Sequence, residues 1–112
     1  MQTKQQQWAE KAYTSVSEKK GKAKEEDYGR FCKSFPALLH TAGLCQALAF
    51  ANAKKHTDYL NDLAGILGQN SETLQETSRT ADVLAYQRLS REAMYAATWL
   101  KRYAEALLKE AD

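Results

Sequence analysis

Apolar residues recur along this chain with the spacing of α-helices, most clearly in the segments near its two ends. In the first segment, about residues 3–19, Trp8, Ala12 and Val16 share one side, whereas Lys4 and Lys11 face away from it. The last segment carries a broad apolar stripe formed by Ala93, Ala96, Ala97, Leu100, Tyr103, Ala104 and Leu107. No segment alternates at the period of a β-strand, so the chain is predicted to be all-α, with this stripe facing the core.

The middle of the chain predicts two helices that meet at its single proline. The second helix is expected to begin at Glu25, after a polar hinge at residues 19–24, because acidic residues favour a first turn. Pro36 is expected to end it, since proline lacks the N–H that a helix interior needs. A third helix is then expected over residues 37–53. Its nearly continuous apolar surface predicts the central helix of a bundle, in which Gly43 allows a neighbour to approach closely.

The next segment predicts one more helix and then a connection. Thr57 is expected to cap a fourth helix that ends near Gly68. Residues 69–79 are polar apart from Leu74, so they predict a loop or a single helical turn.

Two capping residues divide the C-terminal part of the chain. Thr80 is expected to cap a short helix that runs through Tyr86, and Ser90 to cap a last helix that runs to about Lys109. The prediction is one helical domain over residues 1–112, an all-α bundle of five to seven helices around a central apolar helix.

Composition adds that the domain folds alone and stays inside the cell. Hydrophobic residues make up 44% and charged residues 27%, which is far from the composition of disordered chains. Cys32 and Cys45 lie in apolar runs and are expected to be reduced core residues. The apolar run at residues 35–51 is too short and too polar to span a membrane, and the N-terminus has no signal-peptide pattern. A cytoplasmic protein without membrane contact is expected.

The sequence contains no recognisable catalytic or metal-binding motif. The residues three positions before His40 and His56 are alanines, which excludes the Glu-x-x-His pattern of carboxylate-bridged metal sites in helix bundles. The spacing of the histidines and cysteines fits no zinc motif. Cys32 and the two histidines could still meet in space, but no nucleophile turn or phosphate loop is present. We therefore expect no enzyme activity, no cofactor and no metal.

The remaining signal is a basic stripe on the last helix. Arg91, Tyr95, Arg102 and Lys109 lie opposite the apolar stripe. At a rise of about 1.5 Å per residue, Arg91 and Arg102 stand roughly 16 Å apart, so this side could contact several phosphates of one strand. The alternative is a solvated surface on which Glu105 pairs with Lys109. The net charge of +2 does not decide between these interpretations.

Two aromatic residues flank the apolar stripe of the last helix. Tyr95 and Trp99 either pack against the core as half-buried rings or offer an exposed contact to another subunit. Packing is the simpler interpretation. Lys54 has a comparable alternative, because at the end of the third helix it could simply offset the helix dipole.

Four segments, in this order and spacing, resemble a known family, together with the region from Gln7 to Tyr13. They are Pro36-Ala37-Leu38-Leu39, Gly43-Leu44-Cys45-Gln46-Ala47-Leu48-Ala49-Phe50, Tyr86 to Ala93, and Trp99-Leu100-Lys101-Arg102-Tyr103-Ala104. The chain resembles the small helical subunit of type III-B CRISPR effector complexes, the RNA-guided and RNA-targeting Cmr complexes. The similarity covers most of the chain.

The resemblance implies a non-catalytic structural subunit that stacks in multiple copies beside other Cmr subunits and lines the channel for guide RNA and target RNA. Its basic surface would then meet phosphates, because base pairing supplies sequence specificity. We expect a monomer in isolation, and, since the net charge is nearly balanced, weak RNA binding by that monomer. The expected RNA-binding residues are Arg88, Arg91, Lys101, Arg102, Lys54 and Lys4. The alternative is a helical protein–protein adaptor without RNA contact.

Overall fold

The computed structural model describes residues 1–109, which form six helices and no strand. The helices are α1 (Lys4–Ser17), α2 (Glu25–Ala42), α3 (Leu44–Ala53), α4 (Thr57–Ile66), α5 (Ser71–Thr80) and α6 (Val83–Leu107). The all-α class and the predicted number of helices are thus confirmed, while residues 110–112 of the predicted domain lie outside the described residues. Within the described range, no helix combines the length and hydropathy needed to cross a membrane.

The longest helix, α6, makes the most extensive contacts in the bundle, and it packs against α1, α2, α4 and α5. Its predicted apolar stripe faces the core, and the stripe residues that are fully buried are Ala93, Ala96, Ala97, Leu100 and Ala104. Because four of these five side chains are methyl groups, neighbouring helices can approach α6 closely.

The prediction of two C-terminal helices is wrong, since α6 is a single helix of 25 residues. Asp82 is its N-cap, and its carboxylate accepts a hydrogen bond of 2.9 Å from the backbone N–H of Ala85. Thr80 instead ends α5, and Ser90 lies inside α6. Thr80 and Ser90 have side chains that can cap a helix, but both residues lie within helices. Asp82 has an extended backbone and directly precedes α6, as an N-cap requires.

The predicted boundary at Pro36 is also wrong, because α2 continues through this residue to Ala42. A proline inside a helix costs about 3 kcal/mol, through a lost hydrogen bond and a steric clash. The neighbouring side chains of Phe35 and Leu39 are buried in the core, and burial of each stabilises the fold by about 1.5–3 kcal/mol. Burial therefore outweighs the local cost. The helix predicted over residues 37–53 is in fact divided between α2 and α3.

Gly43 forms the boundary between α2 and α3, with φ of 86° and ψ of 163°. Its N–H donates to the carbonyl of Leu39, and its own carbonyl accepts from the N–H of Ala47. The nearest side-chain atom to a Cβ at this position would be the Tyr86 hydroxyl of α6, at 3.7 Å. That hydroxyl also accepts a 3.1 Å hydrogen bond from the backbone N–H of Cys45. A Cβ would fit at this distance, so the positive φ, and not the expected close approach of a neighbour, is what requires glycine here.

The segment expected to be a loop, residues 69–79, lies largely within α5. The side chain of Asn70 caps this helix by accepting a 2.8 Å hydrogen bond from the N–H of Thr73. Only Leu74 and Ser78, four residues apart, are buried on its inner side. The rest of the segment is polar and resembles a loop in composition, which explains why the sequence did not predict this helix.

We expect Gly43→Ala to lower the free energy of unfolding by about 1–3 kcal/mol, because an L-residue is strained at this φ and ψ. Gly65→Ala in α4 is the matched control, since its Cβ would meet no atom within 4 Å. That variant should raise stability by about 0.5–1 kcal/mol. Urea unfolding of both variants measures the difference. Equal stability of the two would contradict the role assigned to Gly43.

Candidate nucleic-acid interface

Three arginines share the outer side of α6, opposite its alanine-rich stripe. Because a helix turns by about 100° per residue, Arg88, Arg91 and Arg102 fall within roughly 60° of one another around the helix axis. All three are exposed. The row runs for about 21 Å along the helix, with Tyr95 between Arg91 and Arg102. We call these four residues the α6 outer face.

The arginines of the α6 outer face are available for an external anion. Within residues 1–109, none of the three guanidinium groups takes part in an ion pair or a side-chain hydrogen bond. The expected pairing of Glu105 with Lys109 is also missing among these residues. The alternative interpretation, a solvated surface on which Glu105 pairs with Lys109, therefore lacks the ion pair on which it was based.

Lys109 does not extend this face, because α6 ends at Leu107. Its backbone N–H instead donates a 2.7 Å hydrogen bond to the carboxylate of Glu25 at the start of α2. The N–H groups of Lys109 and Gly21 both lower the pKa of Glu25 by stabilising its charged form.

Lys4 lies beside the α6 outer face, because the N-terminal end of α1 packs next to it. The ammonium group forms a 2.9 Å ion pair with Glu92 of α6, and its side chain remains 66% exposed. It also lies 5.1 Å from the ring centroid of Trp8. Lys4 thus pairs with Glu92, one of the two acidic residues that border this face, while retaining contact with solvent. The other is Glu105, which lies about one turn after Arg102.

The structure places Lys101 and Lys54 on other surfaces. Lys101 is half-buried and is turned about 100° away from Arg102 on the same helix. Lys54 lines a groove of about 500 Å³ with residues of α2 and of the α3–α4 connection, such as Phe31 and His56. No residue of α6 lines that groove. The sequence therefore grouped basic residues that the fold separates.

The two flanking aromatic residues have different environments. Trp99 is half-buried and stacks on Tyr103, with ring centroids 5.7 Å apart and planes inclined by 19°, which confirms the packing interpretation for this residue. Tyr95 stacks on Trp8 at 6.0 Å and 29°, yet it remains 52% exposed. Packing against Trp8 therefore covers only part of the Tyr95 ring.

Sequence reasoning missed a polar cluster between α2, α4 and the connection that follows α1. The Tyr28 hydroxyl donates a 2.5 Å hydrogen bond to the Asp62 carboxylate, which also accepts a 2.7 Å bond from the Lys19 ammonium group. Cys32 is fully buried next to this cluster. Burial raises the pKa of its thiol to about 12 and also raises the pKa of Tyr28 well above its ordinary value. No local pattern could have indicated this contact, because its members come from three distant segments of the chain.

The geometry around Cys32 gives no support to a catalytic role. A cysteine attacks as its thiolate, and the raised pKa keeps this thiol protonated. His56, one of the two candidate bases in the sequence, stacks on Phe31 with ring centroids 3.7 Å apart. Among residues 1–109, no three His, Cys, Asp or Glu side chains are grouped so that they could hold a metal ion.

Comparison with known proteins tests the family resemblance. The family model Cas_Cmr5, described as a CRISPR-associated protein, matches residues 4–107. A relative from Thermus thermophilus, named CRISPR system Cmr subunit Cmr5, is 44% identical over 98% of this chain and 100% of its own length. The crystal structure of a CRISPR-associated Cmr5 family protein from the same organism aligns with a TM-score of 0.92. It shares 40% identity and covers 96% of this chain and 100% of its own. The family resemblance is thereby confirmed.

Cys32 is expected to resist alkylation by iodoacetamide near pH 8 in the folded protein. Raising its pKa from 9.0 to about 12 lowers the thiolate fraction roughly a thousandfold. The half-buried Cys45 serves as an internal comparison, and both cysteines should react once the protein is unfolded in urea. Mass spectrometry of a time course measures both rates. Equal labelling in the folded protein would show that Cys32 is accessible and ionised.

Proposed function

Because this chain belongs to the Cas_Cmr5 family of CRISPR-associated proteins, we propose that it is a non-catalytic structural subunit of a type III-B CRISPR (Cmr) ribonucleoprotein complex. In this role it associates with other Cmr subunits and with further copies of itself in antiviral defence. The match over nearly the whole length of a relative that is named a Cmr subunit supports the assignment.

The α6 outer face is the proposed contact with guide RNA or target RNA. The observation that carries this proposal is the row of three exposed arginines without ion pairs among residues 1–109. Guanidinium groups bind phosphate oxygens through paired, charge-assisted hydrogen bonds. Such contacts position the strand without selecting its sequence, which suits a complex in which base pairing supplies specificity.

The six residues expected to bind RNA divide into two groups. Arg88, Arg91 and Arg102 form the core of the proposed contact, and Lys4 lies beside them. Binding by the remaining two, Lys101 and Lys54, would require RNA to reach other surfaces of the domain.

Stacking of several copies compensates for the weak charge of a single copy. The net charge is only +2, so one domain releases few counterions when it binds RNA. When copies are held side by side, each further contact becomes effectively intramolecular, and the total affinity rises without new contacts within a copy. We therefore propose that the arginine rows of successive copies act together.

A protein–protein adaptor is the second candidate function, and exposed apolar side chains favour it. Val83 and Leu84, at the start of α6, are 71% and 78% exposed. Exposed apolar groups of this kind are common where subunits meet. They fit both proposals, since a structural subunit also contacts its neighbours. Only the response to RNA and to salt separates the two functions.

Affinity purification of the tagged protein from its native host, with and without ribonuclease, tests the proposed assembly. Co-elution of large Cmr-type subunits with short repeat-derived RNA is the expected result. Recovery of unrelated proteins without RNA would replace the proposal by the adaptor function.

Arg91→Glu combined with Arg102→Glu is expected to weaken capture of target RNA by the assembled complex while the fold remains intact. If each arginine makes one phosphate contact, each copy that contacts the strand loses about 1.4 from the slope of log affinity against log salt. For one such copy this corresponds to binding roughly 25-fold weaker at ~0.1 M salt, further copies multiply the loss, and the difference disappears towards ~1 M. Filter binding over a series of salt concentrations measures both quantities.

The matched control is Lys20→Glu combined with Lys22→Glu, which makes the same change in net charge within the connection between α1 and α2. These two lysines lie outside the α6 outer face, so capture should fall much less. Circular dichroism verifies the helical content of both double variants. Equal losses would reduce the effect to overall charge, and unchanged capture would refute the arginine contacts.

A further inference from the structure

Tyr95 is the only aromatic residue of the α6 outer face. Its ring is 52% exposed, although an aromatic side chain gains most stability from complete burial. One part of the ring is supported by Trp8, whose ring lies at 6.0 Å and is itself almost completely buried. The Lys4 ammonium group lies 5.1 Å from the Trp8 ring centroid. Tyr95 is thus held by a stack of neighbours while much of it faces solvent.

The surroundings of this ring are cationic. Arg91 lies one turn before Tyr95 on the same side of α6, and Arg102 lies two turns after it. The nearest acidic residue on α6, Glu92, is engaged by Lys4 at 2.9 Å. The group most complementary to this surface therefore carries negative charge on both sides of a flat apolar ring.

Single-stranded nucleic acid has this combination of groups. Its phosphates would meet Arg91 and Arg102, and the flat surface of an unpaired base would cover the Tyr95 ring. Proteins that bind single strands combine cationic grooves with aromatic platforms, and each stacked base contributes a factor of about 5 to 150 in affinity. In a duplex, the bases are already stacked on one another and are not accessible to such a ring.

We infer that Tyr95 is a stacking platform for one unpaired base, so that each copy of the subunit prefers single-stranded RNA to a paired strand. The inference rests on the proposed RNA contact of the α6 outer face and adds a second kind of contact to it. The Trp8 ring fixes the orientation of Tyr95 in advance, which lowers the entropy lost when the base binds.

The test compares two RNA probes with the full chain at low salt. One is a single-stranded oligonucleotide, and the other is an abasic ribose-phosphate oligomer of the same length and charge. The wild type should bind the base-bearing strand roughly tenfold more tightly than the abasic oligomer. Tyr95→Phe should keep this preference, because it retains the aromatic ring. Tyr95→Leu should remove it and leave the affinity for the abasic oligomer unchanged.

Each of the other outcomes contradicts either the stacking of a base on Tyr95 or the RNA contact of the α6 outer face. Equal affinity of the wild type for both probes overturns the stacking platform but leaves the phosphate contacts standing. The titration extends to ~1 mM chain, where weak binding by one copy is still detected, and absence of salt-dependent binding to either probe there overturns the RNA contact itself. If Tyr95→Leu loses both probes equally, the ring has a structural role against Trp8. If that variant keeps the preference for the base-bearing strand, the stacked base lies on another residue and the role of Tyr95 is refuted.

Discussion

The packing of α1 and α2 against the alanine-rich stripe of α6 is the interaction on which this bundle depends. Small side chains on the inner side of α6 let neighbouring helices approach, and larger residues such as Phe35 and Leu39 fill the space between them. The same packing keeps 25 residues of α6 in one helix. A single rigid helix then carries Arg88, Arg91 and Arg102 in a fixed row. If this segment formed two separate helices, as the sequence predicted, the three arginines would not lie on one side of a single helix.

The N-terminal half of α6 also stabilises the shortest connection between the described helices, the single residue Gly43 between α2 and α3. The Tyr86 hydroxyl accepts a hydrogen bond from the N–H of Cys45, one of the groups that the first turn of α3 leaves without a helical partner. Gly43 supplies the backbone conformation that directs α3 away from α2. The inner side of α6 therefore stabilises the fold, while the outer side of the same helix carries the proposed RNA contact.

The distribution of charge explains how a nearly neutral domain presents a cationic surface. Two acidic side chains have partners within the fold: Asp62 binds Lys19 and Tyr28 in a partly buried cluster, and Glu92 binds Lys4 at the surface. The arginines of the α6 outer face keep no such partner among residues 1–109. Net charge sums over both groups, so it conceals this difference. The position of each charge, and not the total of +2, determines what the surface attracts.

The sequence alone determined the helical class, the polar hinge before Glu25 and the stripe of α6 that faces the core. These features follow from local periodicity and composition, which hold whatever the neighbouring chain segments do. Even the family resemblance depended on the order and spacing of such packing segments. Predictions from local sequence were wrong where packing against distant residues outweighed the local conformational preference. It placed a boundary at Pro36, and it expected a loop where Leu74 anchors α5.

The tertiary structure decided which basic residues act on one surface, and it separated Lys54 and Lys101 from the arginine row. It also decided that Tyr95 is supported by Trp8 while remaining exposed. Such outcomes depend on contacts between residues that are far apart in the chain. A local propensity is worth at most about 1 kcal/mol for most residues, whereas burial of one large side chain contributes about 1.5–3 kcal/mol. Distant burial therefore overrides local preference, and only the folded chain shows where it occurs.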